Sequence, residues 1–451
     1  MDSMPLTNAV DSHDNAAGSA GPALMRGIGP WGLTAFALNL TVGSGIMGLP
    51  ARLGALAGSY SILVVMACGV LIAAIAFCFA EVAGRFEATG GPQLYATIAF
   101  GPVAGFTVGW LLWISRLGTC AAVANLMMDY GQVLLPSLSF SGRDACILVM
   151  IAGYAVLNMA GIRQTSAVSV AFTLAKMLPL CAIALAGLFF VHRDMLRPGA
   201  VPAAAELTTA FLLTTFAFFG FDTATVLAGE VDDPRRSVPF AILVSVGTVT
   251  VLYTLMQVVC VGTLPNLGAS DRPVADVASL IAGPWAAAAV AGMTVVACAG
   301  VYGASITPAT RLLYAMGHQH QLPALLSGVH PRLHTPVPAI VISSIAALAL
   351  ALSGSFIYLV KVTLIARLAV YAATCVALPA LRRRSDVPRA TVRVPGGSVL
   401  AIACAVTCVA FLARSSMREA LDVILGTVAG LVIFGATRLG GRSSAAAHRP
   451  K

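Results

Sequence analysis

Long uncharged stretches alternate with short polar ones along almost the whole chain. Runs without Asp, Glu, Lys or Arg cover 61–80 (20 residues), 145–162 (18), 237–270 (34) and 277–310 (34). A bilayer core of about 30 Å is crossed by about 20 helical residues, so each run suffices for a span. The last two leave room for a loop or a long helix. These runs are not the alternating segments of about ten residues that mark a membrane β-barrel. The pattern predicts twelve spans, at 28–54, 61–83, 102–128, 145–160, 167–190, 207–229, 239–260, 282–316, 336–353, 358–380, 399–413 and 419–437. The loops between them are short, so the helices should pack as one bundle. Residues 1–27 and 438–451 read as polar tails, and 1–25 lack Lys, Arg and the apolar core of a signal peptide.

Composition sharpens the picture. Of the 451 residues 58% are apolar and 10% charged, and mean hydropathy is +0.89. Soluble domains carry about 25% charged residues, so an ordinary soluble protein and a disordered chain are both excluded. The expectation is an all-α polytopic membrane protein. Its Gly and Pro content is tolerated in membrane helices. Nine of the ten cysteines lie inside apolar runs and Cys146 starts one; with no CxxC pair, they read as free packing residues.

Charge sets the orientation. With the N-terminus inside, 16 of the 27 Lys and Arg residues face the cytoplasm, 6 face outward and 5 lie in spans. The net charge of +9 reflects those loops and not nucleic-acid binding. Both termini should be cytoplasmic, in a bacterial inner membrane.

Two spans carry breaks. Span one contains Gly43, Ser44 and Gly45 in mid-helix, where glycine costs helix stability and permits unwinding. Span six contains Gly220, with Asp222 two residues on. A carboxylate at that depth is costly and marks a pathway or relay. Unwound backbone in a membrane is tolerable only where it lines a cavity or is buried in protein. Close packing through small residues is the competing reading for span one, and satisfaction by neighbouring hydroxyls is the competing reading for Asp222. The breaks fall at the first of five spans in two repeats, 28–190 and 207–381, with 399–437 appended. An odd number of spans inverts the second repeat. Paired breaks in inverted halves point to a transport site at the midplane. Half-helix N-termini suit an anion and unwound carbonyls a cation. A zwitterionic amino acid fits both.

These residues resemble a known family. Gly43-Ser-Gly-Ile46 looks like the first-helix motif of the amino acid–polyamine–organocation superfamily. Phe218-Phe-Gly-Phe-Asp222, continuing from Gly229 to Pro239, is similar to its sixth helix and the loop that follows. Thr310 to Met316, with Leu322-Pro323 and Pro336, is similar to the end of its eighth helix, and Gly90-Gly-Pro-Gln-Leu-Tyr95 to its first cytoplasmic loop. The resemblance covers about residues 26–385. It implies the inverted five-plus-five fold of the leucine-transporter type with helices 1 and 6 broken. It further implies that Gly43, Ser44, Gly45 and Ile46 receive the substrate carboxylate. Phe219, Gly220 and Asp222 belong to the helix that receives the amino group, and Phe216 holds the place of the aromatic that closes over substrate. The implied function is that of a permease, with an amino acid/polyamine exchanger or a transporter-like nutrient sensor as alternatives.

A coupling ion can be sought among the charges within spans. Lys176 lies about ten residues from the cytoplasmic end of span five, too far to snorkel comfortably. Burial disfavours the charged form of a lysine, which makes it a proton carrier candidate. The resemblance places such a lysine where sodium-coupled members keep their ion. Ser305 and Thr307 of span eight are alternative sodium ligands. Arg116 in span three needs a counter-charge, and Asp222 is the carboxylate deep in a span. Such a pair would leave the pocket near neutral and favour neutral substrates; a free Asp222 would favour basic ones or polyamines. His318, His320, His330 and His334 read as solvated loop residues and not a metal site. Arg382-Arg-Arg384 reads as a positive-inside anchor. No phosphate-cradling loop or catalytic constellation is present, so neither an ATP-driven pump nor an enzyme is expected, and no cofactor beyond the coupling proton. Membrane lipid surrounds the bundle; its oligomeric state is left open.

Overall fold

The computed structural model describes residues 25–43, 45–134, 140–353, 356–414 and 417–447. Among them the chain is helical and forms no strand; one isolated bridge joins Ile28 to Val231. The first span is two helices, α1 (Pro30–Thr41) and α2 (Gly45–Ala57). Then come α3 (Ser61–Ala83), the short α4 (Pro92–Phe100), α5 (Pro102–Leu134), α6 (Phe140–Ala160) and α7 (Ile162–Gly187). The sixth span is also divided, into α8 (Ala204–Ala217) and the single turn α9 (Thr223–Val226). After it follow α10 (Pro234–Thr263), the short α11 (Pro273–Ala282), α12 (Pro284–His318), α13 (Val337–Ser353) and α14 (Phe356–Arg382). The last elements are α15 (Gly397–Leu412) and α16 (Met417–Ala447).

Eight helical stretches among the described residues are long and apolar enough to cross a membrane. Three of the expected spans are shorter helices, α8, α13 and α15. The 14 residues of α8 reach only about 21 Å at the helical rise. A helix that stops at mid-depth needs something to receive its end, and the second break supplies that place.

The uncharged run 277–310 is not one helix. Gly283, at φ +89°, turns the chain between α11 and Pro284. Gly101 does the same at φ +93° between α4 and Pro102. Only glycine adopts such angles without strain, and proline is preset for the first helical position.

Polarity is distributed inside out. Large apolar side chains such as Leu63, Val70, Val149, Leu178, Phe189 and Val399 are exposed, while Glu81, Arg116, Lys176, Asp222, Glu230, Arg311 and Arg367 are buried. That is the pattern of a bundle facing hydrocarbon, where charges turn inward and pair. α5 lies at the centre, packed along α12, α13 and α14, and α10 packs along α3 and α1. None of the ten cysteines is in a disulfide and eight are buried, as expected of packing residues.

One expectation changes at the end of α3. Arg382 is not simply a surface anchor. Its Nε and Nη2 donate to both oxygens of buried Glu81, at 2.7 and 2.6 Å. The Val394 amide donates to the same carboxylate at 2.9 Å, so the segment after α14 is strapped across the end of α3. Arg384 pairs with Asp386. A partner 301 residues away leaves no mark in a local arginine run.

Candidate functional site

The breaks of the first and sixth spans meet. α1 ends at Thr41, where Val42 leaves helical geometry (φ −81°, ψ 80°) although its N–H still donates to the Leu38 carbonyl. α2 begins at Gly45, so its first amides, Gly45 to Met47, have no acceptor within the helix. Ser44 lies outside the described residues. On the other side α8 ends at Ala217, and Phe218 to Asp222 run as turns into α9. Gly220 has φ +144°, and a Cβ there would stand 2.6 Å from the Thr41 amide nitrogen. A Cβ on Gly45 already stands 3.3 Å from that of Ala217. Small residues are therefore required by contact between the two breaks, and the packing and break readings of span one hold together.

A residue not singled out in the sequence ties the ends. Tyr253 of α10 is buried, and its hydroxyl lies 2.8 Å from the Thr41 carbonyl and 3.2 Å from that of Ala217. Both are terminal carbonyls of half-helices, which carry partial negative charge. The start of α2 supplies the opposite end. An anionic group and a cationic group a few ångströms apart would each find a suitable pole here. Around this junction Ile46 and Phe219 are buried and Phe216 half-buried; the rings of Phe216 and Phe219 stand edge to face at 6.0 Å.

Lys176, fully buried in α7, donates from Nζ to the Asn39 carbonyl of α1 at 2.5 Å. The contact lies one turn before the break. Asn39 is held by its own side chain, which donates to Ser169 Oγ at 3.1 Å. Ser305 and Thr307 of α12 use their hydroxyls elsewhere: Ser305 donates to the Arg116 carbonyl at 3.0 Å and Thr307 to that of Gly303 at 2.9 Å.

Asp222 is paired with Arg116, Nη2 to Oδ2 at 2.8 Å, both fully buried. Arg116 Nη1 also donates to Thr223 Oγ1 at 3.1 Å. Two further partners were not foreseen. The Tyr371 hydroxyl donates to Oδ1 at 2.8 Å, and Arg367 Nη1 lies 3.5 Å from the same oxygen. Arg367 donates from Nε to Ser115 Oγ at 3.1 Å. The expected near-neutral pair is thus corrected to one carboxylate between two guanidinium groups, both on helices packed against each other. The signal was present: Arg367 stands mid-span like Arg116, and a buried arginine needs a counter-charge.

The loop motifs also find partners. Gln93 of α4 donates to Gln319 Oε1 at 2.7 Å and Gln321 Oε1 at 2.9 Å, joining the Gly90–Tyr95 motif to the end of α12. His330 Nδ1 accepts the amides of Arg332 and Leu333, so this histidine shapes its own turn.

Residues 28–434 match the family described as amino acid permease. The chain is similar over most of its length to individual members. It is 24% identical to the methylthioribose transporter of Bacillus subtilis, over 93% of this chain and 95% of that one. It is 26% identical to the branched-chain amino acid permease BcaP of the same organism, over 93% and 94%. It is 27% identical to the vacuolar cationic amino acid transporter 4 of Arabidopsis thaliana, over 85% and 67%.

Proposed function

The chain belongs to the amino acid permease family, and on that premise we propose that it is a proton-coupled secondary transporter that holds an amino acid at the breaks of its first and sixth spans. The observation that carries this reading is the meeting of two interrupted helices at Thr41, Gly220 and Tyr253. The substrate carboxylate is received by the free amides at the start of α2. Its ammonium is received by carbonyls at the ends of α1 and α8. Neither pole asks anything of the side chain, so the backbone of any amino acid is recognised alike.

Lys176 couples this site to a proton. When charged it anchors the end of α1 through the Asn39 carbonyl. On losing its proton it gives up a charge-assisted bond and keeps at most a weak one. The end of α1 is then freed to tilt. Proton release and helix movement are linked in this way without any cofactor.

Alternating access follows from an inverted pair of repeats, 28–190 and 207–381. The likeness of the two turns supports that division. A short helix closed by Gly-Pro stands after the second helix of each half, with φ near-identical at Gly101 and Gly283 (+93° and +89°). The excess of Lys and Arg on one face supports cytoplasmic termini in a bacterial inner membrane.

Uptake into proteoliposomes tests the reading. Labelled alanine, leucine, lysine, glutamate and methylthioribose are offered under an imposed pH gradient, then under a sodium gradient at equal pH. Accumulation of an amino acid with the pH gradient alone is expected. Sodium-driven uptake would overturn the coupling. Binding without accumulation would mark a sensor, and counterflow without net uptake an exchanger.

A further inference from the structure

The charged cluster beside the sixth-span break carries more positive charge than it neutralises. Both oxygens of Asp222 are occupied, Oδ2 by Arg116 and Oδ1 by Tyr371 and Arg367. The carboxylate therefore has little left to offer a cationic ligand. The donors, by contrast, are in surplus. Arg367 Nη2 and Arg116 Nε are buried and have no hydrogen-bond partner among the described residues. An unmet buried donor is costly, and an uncompensated buried charge more so. A ligand can supply the acceptor that the protein withholds. Its position fits that role. The Arg367 guanidinium carbon lies 5.7 Å from the centre of the Phe219 ring, and Phe219 immediately precedes the Gly220 break.

We propose that Arg367 is a specificity-determining residue: its spare Nη2 meets an oxygen on the side chain of the transported amino acid, so that the site prefers acidic side chains and rejects basic ones. This rests on the substrate site proposed above and names its substrate class. A side-chain carboxylate brings both the missing acceptor and the missing negative charge. An amide brings the acceptor alone. A lysine or arginine side chain brings a third positive charge and nothing that Nη2 can use.

The test compares glutamate, glutamine, alanine and lysine uptake at equal concentration in proteoliposomes of the wild type, Arg367→Gln and Arg367→Lys. Wild type should take glutamate most efficiently and lysine least. Arg367→Gln leaves Asp222 matched by Arg116 alone, and should lower the ratio of glutamate to alanine efficiency by about tenfold or more. Arg367→Lys keeps the charge and loses the fork, and should fall between. Lysine uptake by the wild type equal to that of glutamate would overturn the proposal, and so would alanine uptake without glutamate. An unchanged glutamate-to-alanine ratio in both variants would also overturn it. Because the wild-type panel decides by itself, variants that do not fold leave the proposal exposed. Failure to accumulate any of the four substrates would instead sink the transport site on which it rests; alanine uptake separates the two failures.

Discussion

Glu230 and Arg311 form a two-point ion pair in the dry interior, with Nε 3.0 Å from Oε2 and Nη2 3.2 Å from Oε1. Glu230 ends the sixth span and Arg311 lies on α12. The Glu230 carbonyl also accepts the amides of Gly27 and Ile28, at 3.0 and 3.1 Å, just before α1. One residue thus ties the entry to the first broken helix, the exit from the second, and α12. Removing one partner of a buried pair leaves an uncompensated charge and costs about 3–5 kcal/mol. Glu230→Gln should therefore lower the unfolding midpoint in detergent sharply. Glu230→Asp, which keeps the charge at shorter reach, should lower it less.

Gly220→Ala should abolish uptake. Its Cβ would stand 2.6 Å from the Thr41 amide and 2.9 Å from the Leu40 carbonyl carbon, both backbone atoms that cannot swing aside. The two breaks would be pushed apart. Wild-type uptake by this variant would show that their contact is unimportant to transport.

Asp222→Asn should cost stability as well as altering selectivity. With the carboxylate gone, Arg116 and Arg367 face each other without an anion between them, a loss on the order of several kcal/mol. Thermal unfolding of Asp222→Asn beside that of Tyr371→Phe separates charge from hydrogen bonding. The phenylalanine variant loses one donor, and should shift stability by about 1–3 kcal/mol.

Lys176→Ala should retain substrate binding while losing its response to a pH gradient. The lysine meets α1 at Asn39, behind the break, and does not touch the amides of α2. Full proton-driven accumulation by this variant would remove Lys176 from the coupling mechanism; loss of substrate-induced thermal stabilisation would assign it to binding instead.

The two breaks were legible because glycine within an apolar run is a local signal. The Arg116–Asp222 pair was legible because each is a rare charge at mid-span. Arg367 carried the same signal, but the chain does not say that two arginines share one carboxylate. Tyr253 and Tyr371 were hidden for another reason. A tyrosine in an apolar helix reads as packing until the carbonyl or carboxylate within reach of its hydroxyl is known. The partner of Arg382 was hidden because Glu81 lies on a distant helix. The sequence placed the two breaks within their spans, but the stops themselves, at Thr41 and Ala217, were not legible, since hydropathy reports the apolar stretch and is blind to where a helix stops.

The Tyr253 hydroxyl owns a single proton. Two carbonyls compete for it, and a proton shared between Thr41 and Ala217 satisfies neither as well as one undivided bond would. The Thr41 carbonyl also accepts the Gly43 amide at 3.0 Å, so the Ala217 end is the one left with the more unused accepting power. On the proposed function, an arriving ammonium, with three protons, would serve both carbonyls at once. Ligand would then act as the rivet between two helices that otherwise divide one bond, and its departure would leave them free to settle the contest by parting.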